Sequence, residues 1–193
     1  HTLLDGVHHE TVSRLIMRRL NDEFNGHLTE AISIFEGSHP KRFLHELISS
    51  QLDMDRMDYL KRDAFYTGVI EGAINSDRLL EMLHVADGQL VLEHKAITSI
   101  EKFLMSRSLM YWQVYMHKTV LSAEHMLVEV LRRASLLAQR GEELFAGTEL
   151  ATLLCRRPNH DEFTSEPELL ELFTQLDDSD ILSAIKQWQR HSD

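Results

Sequence analysis

Three prolines and eight glycines in 193 residues leave few places where a chain must break. That scarcity excludes collagen-like and low-complexity classes and points to long, mostly helical elements. A single cysteine, Cys155, excludes an intrachain disulfide and fits a reducing compartment; it is expected to be a structural thiol. No run reaches the apolar length of a membrane span and no secretory pattern opens the chain, so a cytoplasmic protein with no membrane partner is expected. Cations are also scarce: 20 Lys and Arg against 31 Asp and Glu give a net charge of −11. Such a balance disfavours general binding to nucleic acid, which needs a basic surface. The hydrophobic content of 43% is that of a globular chain with room for a core.

Against that background one segment stands out. Ser49 to Asp63 carries four carboxylates, three cations and a tyrosine, too charged for an ordinary core helix. On a 3.6-residue period Asp55, Tyr59, Arg62, Asp63 and Tyr66 project from one side, with Leu52, Met57, Leu60 and Ala64 available for apolar contact. The column can hold a cation at one end and a polar, phosphate-bearing ligand beyond it. The plain alternative is a solvated face laced by pairs such as Asp58–Arg62. A second segment, Phe103 to Lys118, sets Arg107, Tyr111, Tyr115 and Lys118 at i, i+4, i+8 and i+11, so cations and phenols share a stripe. Arg and Lys bind phosphate oxygens, and tyrosine offers a flat ring to a base or sugar. Together the two segments read as facing walls of a nucleotide pocket.

The remaining chain supplies helices near 10–21, 28–35, 40–50 and 76–82, with Gly68 and Gly72 ending the charged helix. Residues 83–93 read as a hairpin turning at Asp87-Gly88. From Lys95 to about Ala138 the pattern is one long helix, broken at most once. Loops are expected at 141–147 and 156–167, and helices at 167–175 and 179–189, the last capped by the Asp177–Asp180 cluster. Met54, Met57, Met105, Met110, Met116 and Met126 are expected to pack between the two pocket helices. His9-Glu10 and His45-Glu46 each begin like a zincin signature, but Ser13 and Ser49 stand where the second imidazole is needed, which excludes a zinc protease. No glycine-rich loop has Walker or Rossmann spacing.

The Asp-x-Asp-Arg-Met-Asp-Tyr-Leu-x-Arg-Asp string over 53–63, with His9-Glu10, Gly72–Leu80 and Arg107–Lys118 in the same order, resembles the HD-domain phosphohydrolases. The nearest resemblance is to the deoxynucleoside triphosphate triphosphohydrolases, the dGTPase-like branch. It implies a mainly α, HD-like helical bundle with a small β-hairpin. Residues 1–140 would form part of the core and 141–193 a helical extension of the same domain. It implies a metal-dependent enzyme that hydrolyses a deoxynucleoside triphosphate to deoxynucleoside and tripolyphosphate, and a homo-oligomer. In such enzymes a first His, a His-Asp pair and a distant Asp hold a divalent ion (Mg, Mn, Fe or similar). The distant Asp falls on Asp55. Arg56, Arg107 and Lys118 are implied to contact phosphate; Tyr59, Asp63 and Tyr115 to hold the deoxyribose; Tyr111 to line the substrate site where a human member of that group has histidine; His9 and Glu10 to serve catalysis, with Glu10 orienting a catalytic histidine. The family places its His-Asp pair upstream of His9, whereas the only such string here is His160-Asp161, so the chain reads as a fragment. The alternative reading is a nucleotide-binding regulatory or oligomer-forming module of the same family without catalysis.

Overall fold

The computed structural model describes residues 2–192. The chain divides into two compact units, one drawing on the N-terminal residues to Gly26 and on Ala123 onward, the other spanning His27–Ser122. Helices dominate both, as expected, and the sole sheet among the described residues is a two-stranded hairpin. No helix among them is long and apolar enough to cross a membrane.

The second unit begins with α2 (Thr29–Phe35) and α3 (Arg42–Ile48). The charged segment then forms α4 (Met54–Thr67). Its start is fixed by Asp53, which is 5% exposed and accepts from the Arg56 amide at 2.8 Å. This satisfies one of the orphan amides of the first turn. Its end is fixed by Gly68 at φ 71°, a left-handed cap that glycine adopts without strain. A 3₁₀ turn (Ile70–Gly72) and α5 (Ser76–Glu81, capped by Asn75) lead into β1 (Leu83–Ala86) and β2 (Gln89–Leu92). Asp87 and Gly88 both have positive φ, 51° and 76°, the primed-turn geometry that matches strand twist. The Glu46 carboxylate accepts from the Leu90 amide at 2.6 Å and ties α3 to β2. A second 3₁₀ turn (His94–Ala96) precedes α6 (Ile97–Met110), and a π turn comes next at Tyr111–Tyr115. The core of this unit joins Met57, Leu60 and Ala64 of α4 to Leu79, Phe103 and Met110.

The first unit contains α1 (His9–Glu23), α7 (Lys118–Gln139) from Ala123 onward, α8 (Thr148–Arg156), α9 (His160–Ser165), α10 (Pro167–Gln175) and α11 (Asp178–Trp188). One core cluster gathers Val7, Val12, Leu153, Phe163, Leu169 and Leu170. Another gathers Ala134, Leu150, Leu154 and Ala184. Asp177 caps α11 in a reciprocal box with Asp180, as its sequence signature predicts.

Four expectations are corrected. Residues 148–156, to which the sequence pattern assigns no element, form α8, whose Leu150, Leu153 and Leu154 are all buried. The segment 156–167 is not loop throughout: Asn159 and Glu162 form a capping box that nucleates α9, and His160-Asp161 sits in its first turn. The six methionines split, because Met57 and Met110 are core while Met105, Met116 and Met126 are more than half exposed. Cys155 is exposed rather than packed inside.

Gly72 lies where Met110 and Ala64 leave no room for a side chain. A β-carbon there would lie 2.5 Å from the Met110 sulfur and 2.9 Å from the Ala64 β-carbon. Met110 is 0% exposed, so its side chain cannot swing out into solvent without leaving the core. Gly72→Ala is therefore expected to destabilise the chain by about 1–3 kcal/mol through overpacking, read as a lower urea midpoint. An unchanged midpoint would show that Met110 repacks without cost.

Candidate functional site

The charged helix and the cation–phenol stripe meet in the second unit. α4 offers Tyr59 and Asp63 on one face, one turn apart, while its buried Met57, Leu60 and Ala64 anchor the adjacent face in the core. α6 offers Arg107, and the π turn offers Tyr111 and Tyr115. The Tyr115 hydroxyl donates to an Asp63 carboxylate oxygen at 2.7 Å, closing a contact between residues 52 apart in sequence. The Tyr115 ring meets Tyr59 edge-on at 6.1 Å and Tyr111 edge-on at 5.1 Å. Such pairs contribute about 0.5–1.5 kcal/mol each beyond area burial. The Arg107 guanidinium lies over the Tyr111 ring, 5.3 Å from its centre.

The electrostatics reflect this crowding. Burial raises the Tyr59 pKa, and the Arg107 guanidinium beside it only partly offsets that rise. Burial also raises Tyr115, and its hydrogen bond to the Asp63 carboxylate raises it further, because ionising the phenol would place two anions together. Burial opposes the Arg107 cation, but the Tyr111 and Tyr59 hydroxyls outweigh it and raise its pKa. Arg107 thus remains a cation held among phenols. Its Nε is shut off from solvent with no hydrogen-bond partner among the described residues, a buried donor left open.

Around this cluster the other residues differ in placement. Asp55 is exposed in the first turn of α4. Arg56 is half-buried and pairs at 3.2 Å with Asp53, so the Asp53 carboxylate serves the helix start. The solvated-face alternative holds one turn further on, where Asp58 and Arg62 pair at i, i+4 in the open. Lys118 is exposed and opens α7 beyond the break. His9 and Glu10, both exposed, open α1 in the first unit. No three His, Cys, Asp or Glu side chains converge on a metal position among the described residues, so these residues alone do not fit a complete metal site.

The π turn departs from the sequence pattern. That pattern reads as one long helix from Lys95 to about Ala138, broken at most once, without placing the break; here the Met116 amide bonds to the Tyr111 carbonyl at 2.8 Å in an i to i+5 pattern. The wider turn keeps Tyr111 and Tyr115 on one side and stops the stripe before Lys118. No proline or glycine marks it; its only signal is a bulky Tyr-Trp-Gln-Val-Tyr run with one apolar residue turned inward.

The Tyr115 phenol gives a pH test with a definite sign. Its pKa is higher in the folded chain than the ordinary value near 10, so the folded state holds the proton longer. Its contribution to stability is complete below about pH 10 and is lost as pH rises further. The unfolding midpoint should therefore fall more steeply above about pH 10 in the unsubstituted protein than in Tyr115→Phe, which cannot ionise. Parallel curves would show that the folded chain does not hold the Tyr115 proton longer.

Comparison with known proteins bears on the fold and the family. Residues 74–165 match the HD associated region family. The crystal structure of a phosphohydrolase from Bacteroides thetaiotaomicron is 55% identical with a TM-score of 0.94, covering 99% of this chain and 47% of that one. The uncharacterized protein YwfO of Bacillus subtilis is 34% identical over 185 residues, 95% of this chain and 40% of that protein. The deoxynucleoside triphosphate triphosphohydrolase SAMHD1 homolog of Dictyostelium discoideum is 28% identical over 177 residues, 84% of this chain and 34% of that protein. The chain spans less than half the length of each of these relatives. The matched region and these likenesses support the HD phosphohydrolase family for this chain.

Proposed function

We propose that this chain is part of a metal-dependent HD phosphohydrolase that cleaves deoxynucleoside triphosphates to deoxynucleoside and tripolyphosphate. The observation that carries the reading is the convergence of Tyr59, Asp63, Arg107, Tyr111 and Tyr115, from two stretches of backbone far apart in sequence, on one position. The name of the Dictyostelium relative supports the substrate class.

In this reading the Asp63 carboxylate and the Tyr115 hydroxyl, already bonded to each other, accept a sugar hydroxyl and close against the 2′ position. A ribose 2′-hydroxyl would need the space and the bond that Tyr115 already uses. The Tyr59 ring gives the sugar an apolar wall. Arg107 turns its open donor and fixed charge to a phosphate oxygen, and the half-buried Arg56 and the exposed Lys118 add positive charge. Tyr111 holds the Arg107 plane. Asp55 is the carboxylate this chain contributes to a divalent ion, with His9 and Glu10 assigned to proton handling. A bound divalent ion supplies an activated water at neutral pH. A homo-oligomer in the cytoplasm remains part of the proposal.

The test uses the complete protein, incubated with each deoxynucleoside triphosphate and Mg²⁺ or Mn²⁺, the products being separated by ion exchange. Tripolyphosphate with free deoxynucleoside is expected. Asp55→Ala should abolish metal-dependent turnover, whereas Tyr115→Ala should keep turnover and lose about tenfold or more in deoxy-over-ribo preference, the worth of one well-placed contact. Turnover surviving in Asp55→Ala would refute the role given to that carboxylate.

A further inference from the structure

A cationic concavity lies in the first unit, lined by none of the candidate-site residues. It is bounded by Thr2, Arg132, Ser135, Leu136, Gln139 and Arg157 and encloses about 430 Å³, within the usual range for small-molecule sites. Two guanidiniums face one small volume on a chain of net charge −11, where like-charged neighbours need a reason.

The backbone under Arg157 is informative. Arg157 ends α8 in the left-handed region at φ 46° and ψ 63°, where glycine or asparagine is the usual occupant and a β-branch-free long side chain is still strained. The strain is imposed by the next residue: Pro158 is fully buried and its carbonyl accepts from the Asp5 amide at 3.1 Å. A proline also disfavours the helical region for the residue before it. Local stability alone would be better served by glycine there, yet the position carries a cation aimed at the concavity. The concavity floor is preformed. Ser135, 4% exposed, donates to the Leu154 carbonyl at 2.8 Å, and the Gln139 amide donates to the Ser135 hydroxyl at 3.4 Å, leaving a second amide proton. Arg132 is paired at 2.5 Å with Glu129 through Nη1, an exposed contact whose strength is small in water, so its guanidinium can also serve a ligand.

We infer that this concavity binds a small polyphosphate anion, gripped between Arg132 and Arg157 and seated on Gln139 and Thr2. Two guanidinium forks suit phosphate oxygens better than a single carboxylate, because each fork can take two oxygens. The anion is either a free polyphosphate or the phosphate tail of a nucleotide. The inference stands whether or not the complete protein is a triphosphohydrolase.

The test is calorimetric titration of the complete protein in EDTA with tripolyphosphate, and separately with a deoxynucleoside triphosphate. Arg157→Gly removes the guanidinium and relieves the left-handed strain, so its thermal midpoint should hold or rise. Arg132→Gln removes the other fork at an exposed position. Each should weaken tripolyphosphate binding about tenfold, the worth of one charge-assisted pair, and added salt should weaken it further. Equal weakening for the nucleotide assigns the site to nucleotide phosphates; unchanged nucleotide affinity assigns it to free polyphosphate. Unaltered tripolyphosphate binding in both variants would overturn the inference, as would loss in Arg107→Ala alone.

Discussion

The hydrogen bond from Tyr115 to Asp63 depends on a chain of earlier constraints, and the candidate site depends on it in turn. For the phenol to reach the carboxylate, α4 must begin at a fixed residue, keep one face toward α6, and approach it closely. Asp53 fixes the beginning by capping the first turn. Met57, Leu60 and Ala64 fix the face by packing on Phe103 and Met110. Gly72 permits the approach, since no side chain would fit between Ala64 and Met110. Once these are set, Tyr59, Asp63, Arg107, Tyr111 and Tyr115 have little freedom, because each ring is wedged against the next. An apolar core thus positions a polar constellation that is largely organised before any ligand arrives, which limits the ordering cost of binding.

The charge distribution gives the site its chemistry. Arg107 is surrounded by phenols rather than carboxylates, so its charge is stabilised by neutral oxygens and is not cancelled. Asp63 is occupied by a phenol and not by a cation. Opposite charges are thereby kept near one another but uncombined, which is what a ligand with a polar sugar and anionic phosphates can use. By contrast, Arg62 is spent on Asp58 and Arg156 on Glu162 and Glu166, pairs that fasten surfaces and leave nothing open.

Much of this is readable in the residues. The Asp53–Asp63 spacing places Tyr59 and Asp63 on one face because the helix that carries them is regular from cap to cap. Asp87-Gly88 announces its turn because few residue pairs tolerate two positive φ angles. The π turn has no proline or glycine to mark it, so the sequence allows a break in the long helix without placing it at Tyr111–Tyr115. α8 is hard to see because its apolar residues Leu150, Leu153 and Leu154 sit in a short stretch between two breaks. The methionines mislead for a different reason: their spacing is consistent with core, yet Met105 of α6, Met116 at the end of the π turn and Met126 of α7 are exposed. Neither the left-handed Arg157 nor its concavity has a sequence signal, because a strained cap is set by the burial of its neighbour Pro158.

The most direct test of the proposed site is a crystal structure of the complete protein with a non-hydrolysable deoxynucleoside triphosphate analogue. The sugar is expected against Tyr59, Asp63 and Tyr115, with a phosphate oxygen bonded to Arg107. A nucleotide seated elsewhere, with the Tyr115–Asp63 bond intact and Arg107 Nε still unpartnered, would contradict that assignment.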